Sequence, residues 1–387
     1  MCRTLAILLN IALLGSCIEV ETKANPSYGD NATMAVPLFY DGTNVYAKIG
    51  VGTPTQESGD TFVYLSSWLS NLIVITLDAG MCGKPFYDYE KSQTFDIVER
   101  DATLEILQLP SWRNDNNYEG MQVKDTVCLG EGSDLCVDQF EFFAQTTNSA
   151  CKNMFGVQPS LGSGTPNLIE GLFLAGKINA NKMTMYLDWA ETESMLDLGI
   201  SNSEYIYGNW SNHNITFTNS ASPSKAVSFE LDSFKFNGTE YLTAPATLVP
   251  INESPYTIVF GTDFQAEYEN FASAFLAATR DHGWWCDTTD LGKSCQASNI
   301  ECSKFLGDNA LVTIPTLEIQ FDGQNYTMPA ESLLSQEYQY CELNIGLDNG
   351  SLPSDWMIVG QTFFKDFVLS IDYDNNLFSI GLSKNAH

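Results

Sequence analysis

Residues Phe62–Gly80 read FVYLSSWLSNLIVITLDAG, and the fold follows from how they are read. An apolar run (62–65) meets a polar apex, Ser66-Ser67, and a second apolar run (72–77) leaves after Ser70-Asn71. Short β-branched and aromatic runs bounded by polar turn residues read as buried strands. The segment is therefore a strand, a turn and a second strand. The turn carries two serines and a tryptophan, Trp68, with no acid or base at its apex.

The rest of the chain repeats this texture. NVYAKIGVG (44–52), SFELDSFKFNG (228–238) and PTLEIQFDGQNYTMP (315–329) are strand-like, and Asp322-Gly323 suits a tight hairpin. Two stretches, 167–178 and 266–279, carry apolar residues at helical spacing. A chain of many strands and few helices suggests barrels or sandwiches. There is weak internal symmetry. NMFGVQP (153–159) matches WMIVGQTFF (356–364), and FVYLSSWLSNL matches YTIVFGTDF (256–264), each pair having one member per half. Two similar β lobes around a cleft would explain the pairing. The lobe connection then falls at about Leu187–Ile206.

The chain has 387 residues, 48 acidic against 18 basic, for a net charge of −30. Such a balance disfavours nucleic acid and anionic membrane surfaces as partners. Residues 1–17 read as a secretory signal peptide: Arg3, an apolar run from Leu5 to Leu14, then Gly15-Ser16-Cys17. No later stretch is long and apolar enough for a membrane span. Eight cysteines remain beyond the signal, an even number consistent with disulfides in an exported chain. With three histidines and no CxxC, a zinc site or Cys/His catalytic pair is not expected. Glycosylation is expected at the sequons of Asn31, Asn209, Asn214, Asn237, Asn325 and Asn349, whereas Pro255 disfavours the one at Asn252. No nucleotide loop, GxSxG elbow, HExxH or calcium loop occurs, so neither cofactor nor metal is expected.

In this order and spacing, four segments resemble the pepsin-like aspartic peptidases of family A1. VPLFYDGTNVYAKIGVGTPTQ (36–56) resembles the family's opening strand and Gly-Thr-Pro-X-Gln turn. SNLIV (70–74) resembles the stretch after its first catalytic turn, and FELDSFKFNG (229–238) the start of its second lobe. MIVGQTFFKDFVLSIDYDNNLFSIGLS (357–383) resembles its closing strands, with Asp372 and Gly381 in place. The resemblance implies a mostly-β, bilobal acid-protease fold with two six-stranded-barrel-type lobes and a cleft between them. It implies one peptidase domain over about 36–385, divided into a lobe at 36–190 and a lobe at 191–387 behind a short segment, 18–35. By the same resemblance Cys302 pairs with Cys341. Cys128 and Cys136 flank a turn, which makes a bridge between them plausible. Cys286–Cys295 and Cys82–Cys151 follow by elimination.

The family's chemistry needs two aspartates sharing one proton and one water, each in an Asp-Thr/Ser-Gly turn. Aligning SNLIV puts Ser66 at the first aspartate and Trp68 at the glycine. Laying TIVFGTDF on the second turn puts Phe260 at the other aspartate; a different alignment through LVPINES (248–254) puts Pro250 there. Neither supplies an acid. Asp78, in LDAG, and Asp263 are the nearby acids, with strand-end and turn-capping roles as the alternatives. The family's flap falls near LPSWRNDNNYEG (109–120), with Trp112 and Arg113 at its aligned tyrosine and Tyr118 either in the flap or in a surface loop. The segment 18–35 is short and not basic, unlike the prosegments the resemblance implies for active members. The expectation is a secreted, glycosylated, catalytically inactive homologue, monomeric, outside the cell or in an acidic compartment such as a lysosome. Its residual cleft would bind a peptide or protein by strand addition. The alternatives are an acid endopeptidase using Asp78 and Asp263, and an inert structural or storage glycoprotein.

Overall fold

The computed structural model describes residues 34–386 apart from 41–43, 57–61, 68, 80–86, 106–116, 131–132, 148–152, 161–164, 189–192, 219–225, 244, 253, 255, 280–281, 290–291, 308–309, 313, 338 and 351. Eight strands of the first half form one sheet: β1 (Phe39–Tyr40), β2 (Val45–Val51), β3 (Phe62–Ser66), β4 (Leu72–Ile75), β5 (Asp96–Glu105), β6 (Asn117–Leu129), β7 (Cys136–Gln145) and β8 (Met154–Gly156). Their spatial order is β1-β2-β3-β8-β4-β7-β6-β5. The second half repeats the plan with β9 (Thr216–Phe217), β10 (Val227–Phe236), β11 (Ala246–Pro250), β12 (Ile258–Phe260), β13 (Trp284–Thr289), β14 (Gly292–Ser298), β15 (Tyr340–Leu347) and β16 (Trp356–Val359). Their order is β9-β10-β11-β16-β12-β15-β14-β13, within a twelve-stranded sheet. Each strand thus has a counterpart eight numbers on. The pairing senses repeat as well. β3–β8 and β4–β7 are parallel, as are β11–β16 and β12–β15.

A third sheet has six strands in the order 34–37, 195–198, 182–186, 367–372, 377–383, 206–214. It takes strands from both sides of residue 190, and Lys182 Nζ lies 2.7 Å from Asp372 within it. The mostly-β, two-lobed architecture anticipated from sequence is present. The strand counts are eight and twelve, because hairpins such as Leu317–Phe321 with Gln324–Met328 extend the second lobe. That hairpin turns at Asp322-Gly323 with φ of 47° and 72°, the doubly left-handed turn that suits right-twisted strands.

Two helices form where apolar spacing predicts them. α1 (Leu168–Leu174) starts at a capping box: the Asn167 side chain accepts from the N–H groups of Ile169 and Glu170, and Glu170 accepts from Asn167 N–H. α2 (Gln265–Thr279) buries Tyr268, Phe271, Ala272 and Phe275 on one face. Phe271 packs edge-on against Phe234 and Phe236 of β10. Two disulfides, Cys128–Cys136 and Cys286–Cys295, join directly opposed residues of neighbouring strands, and Cys302–Cys341 closes a longer loop. Cys82 and Cys151 lie outside the described residues.

Candidate active site at the lobe junction

The ends of β3 and β11 meet where the lobes join. Ser67 N–H donates to Asn252 Oδ1 at 2.8 Å, and Asn252 N–H donates to Ser67 Oγ at 3.0 Å. Ser67 Oγ–H donates to Pro250 O, and Asn252 Nδ2–H to Leu65 O, both at 3.0 Å. The four bonds exchange under a twofold operation that maps Leu65 onto Pro250 and Ser67 onto Asn252. Strand register gives the same mapping independently. Leu65 pairs with Phe155, and Pro250 pairs with Val359. Gly156 N–H donates to Asn71 O and Gly360 N–H to Thr257 O, each at 3.0 Å. Both glycines are demanded by close approach: a Cβ would lie 2.4 Å from Leu69 O at Gly156 and 1.9 Å from Tyr256 O at Gly360.

A family model for eukaryotic aspartyl protease matches residues 44–384. The chain belongs to the pepsin-like eukaryotic aspartyl protease family. No curated protein sequence matches it significantly.

Between the twofold-related residues lie Ser66 and, in the second lobe, Ile251. Nothing in the sequence marks Ile251. The sequence places the second turn of this aspartyl protease homologue at Phe260, but Phe260 lies inside β12. There it is buried against Phe234 at 4.9 Å and Tyr268 at 5.9 Å. Its strand corresponds to β4, the one that leaves the turn. The other alignment, through Pro250, falls in the right segment but one residue early. The path from Asn252 to Thr257 holds one more residue than that from Ser67 to Asn71. Ile251 and Asn252 also retain nothing of an Asp-Thr-Gly turn.

The junction is buried. Ser66, Ser67, Ile251 and Asn252 are all shielded from solvent, and among the described residues Ser66 Oγ has no hydrogen-bond partner. Ile251 joins an apolar cluster built from both lobes. Leu69, Ile73, Tyr118, Phe143 and Met154 come from the first lobe, and Val249, Val259, Leu352, Trp356 and Ile358 from the second. Tyr118 is therefore a buried strand residue of β6 and not part of a surface loop. Its hydroxyl donates to Met154 Sδ at 3.5 Å, and burial holds its phenol well above the ordinary range. Trp112 and Arg113 lie outside the described residues.

Asp78 and Asp263 are not brought together. Each follows the outgoing strand of its lobe, β4 or β12, and is exposed. Asp78 accepts from Tyr89 Oη at 2.6 Å, which pushes that phenol up to about 12. Asp263 accepts from Ser354 Oγ at 2.9 Å. Both bonds fit surface turn roles. Among the described residues there is no group of His, Cys, Asp and Glu placed to hold a metal ion, and no helix long and apolar enough to cross a membrane. Asn209, Asn214, Asn237, Asn325 and Asn349 are exposed, and Asn31 lies outside the described residues.

Proposed function

We propose that this chain is a secreted, glycosylated aspartyl protease homologue that has kept the scaffold, lost the catalytic pair, and binds peptide or protein segments between its lobes. One observation carries the reading. The two symmetry-related positions at the lobe junction hold a serine and an isoleucine. Acid proteolysis in this fold requires one carboxylate to take a proton from water while a second gives one to the substrate carbonyl. A hydroxyl with no carboxylate beside it and an aliphatic side chain do neither. The apolar surroundings of Ile251 also disfavour an ionised group there. Peptide binding is supported by the edges and faces that two such sheets present to an extended chain.

The test is cleavage of a denatured protein by the purified, secreted chain between about pH 3 and 6, the range where a shared-proton dyad works. A pepstatin-type inhibitor and the Asp78→Ala/Asp263→Ala variant serve as controls against contaminating protease. No cleavage by folded protein is expected. Inhibitor-sensitive cleavage abolished in the variant would sink the proposal and make the displaced acids catalytic.

A further inference from the structure

The twofold relation between the lobes exposes a difference between them. Lys48 pairs with Phe62 on β2–β3, and Glu230 pairs with Thr247 at the matching place on β10–β11. Extending the match, Phe39 corresponds to Thr216 and Tyr46 to Ser228, since these pairs also share register. In the first lobe three aromatic rings fill this face. Phe62 packs against Phe39 at 5.2 Å and Tyr46 at 5.9 Å. The Lys48 ammonium lies over two of the rings, 5.4 Å from Phe39 and 5.6 Å from Phe62. In the second lobe three small hydroxyl residues replace the rings and a carboxylate replaces the ammonium. The space is left open, as a cavity of about 550 Å³ lined by Thr216, Ser228, Glu230, Thr247, Asp355 and Trp356 among others.

We propose that this cavity receives a basic side chain, arginine or lysine, of a bound peptide. The assignment rests on the peptide-binding reading above and names the chemistry it selects. Glu230 and Asp355 are exposed, and among the described residues neither has a cation partner. The hydroxyls of Thr216, Ser228 and Thr247 add acceptors for a multiply donating guanidinium or ammonium. Trp356, on its wall, is of the kind that attracts cations. The first lobe holds its own lysine at the equivalent place, so the scaffold accommodates a cation there. The cavity also adjoins the interlobe cluster, since Trp356 belongs to both. Thr247, Val249 and Ile251 alternate on one face of the chain, and Val249, Ile251 and Trp356 belong to the interlobe cluster. Thr247 is about 13 Å from Ile251 at the rise of an extended strand.

The test uses the full chain, immobilised, and two pools of acetylated octapeptides randomised over uncharged residues. One pool carries arginine at a central position and the other its neutral isostere citrulline. Retained peptides are quantified by mass spectrometry at low and at high salt. Retention about tenfold higher for the arginine pool is expected, falling with salt and lost in Glu230→Gln, an exposed and fold-neutral change. Thr247→Phe, which restores a first-lobe ring, is expected to remove the same advantage. Equal retention of the two pools, or an arginine advantage that survives Glu230→Gln, overturns the cavity assignment and leaves binding between the lobes standing. Retention of neither pool overturns both.

Discussion

Ser67 and Asn252, 185 residues apart, clasp each other across the lobe junction, the backbone N–H of each donating to the side-chain oxygen of the other. Their side chains then reach on, to Pro250 O and Leu65 O, so that each lobe's turn is anchored on the other's strand.

Removing either partner leaves buried backbone groups without bonds, at a cost of roughly 1–3 kcal/mol for each group stranded. Asn252→Ala strands Ser67 N–H and Leu65 O together. A loss of about 3 kcal/mol is expected in equilibrium urea unfolding, more than for a typical surface change. The double variant with Ser67→Ala should cost less than the sum of the single changes, by about 1 kcal/mol or more, because the residues share bonds. Strict additivity would mean that the two ends are held independently.

Ile251→Asp places a carboxylate at a position with no exposed surface. No acid proteolysis is expected from it. It should destabilise the fold by about 3 kcal/mol or more near pH 7, where the acid is charged, and by less near pH 4. The sign follows from burial, which raises a carboxylate's pKa, so the penalty grows as pH climbs past the unfolded value. Thermal unfolding of this variant at the two pH values, with wild type alongside, reads the difference directly. Equal losses at both would show that water reaches the junction.

His213 offers a pH dependence already present in the native chain. Its side chain is fully buried, with Nδ1 3.0 Å from Asp322 Oδ2 and Nε2 2.6 Å from Tyr326 Oη. Burial lowers its pKa below the ordinary histidine value, and Asp322 offsets only part of that effect. The unfolded chain therefore binds a proton more readily than the fold in the window below about pH 6.5. Stability should fall as pH falls through that window, and the loss should be complete below the folded-state pKa. The unfolding free energy of His213→Gln, followed from neutral to mildly acid pH, should be flatter than that of wild type. Parallel profiles would remove His213 as the source.

Asn252 lies in an Asn-X-Ser sequon, yet its amide nitrogen donates to Leu65 O inside the junction. A glycan on that nitrogen cannot coexist with the clasp. Peptide mass spectrometry of protein from a secreting eukaryotic host should find Asn252 unmodified and glycans on exposed sequons such as Asn237 and Asn325. A fully occupied Asn252 in folded protein would contradict the junction geometry.

Much of this architecture was legible in one dimension, because it rests on local patterns. The strands around Ser66 follow from their β-branched runs, α2 from the spacing of Tyr268, Phe271 and Phe275, and the Asp322-Gly323 hairpin from a turn that favours glycine. The Cys128–Cys136 bridge follows from a short turn between its cysteines. The second lobe's turn was not legible. Ile251-Asn252 carries no acid, hydroxyl or glycine to mark it, and the stretch around Phe260 imitates a turn more closely while serving as a core strand.

The sequence by itself determined the elements, the family and the absence of an acid at the first turn, since those depend on neighbours along the chain. Only the tertiary structure decided that Asn252 answers Ser67, that Ile251 answers Ser66 and that Glu230 faces an open cavity where Lys48 covers filled rings. Those relations arise from strand register and from a twofold repeat between distant segments, and hydrogen bonds between residues 185 apart leave no periodic trace in the chain.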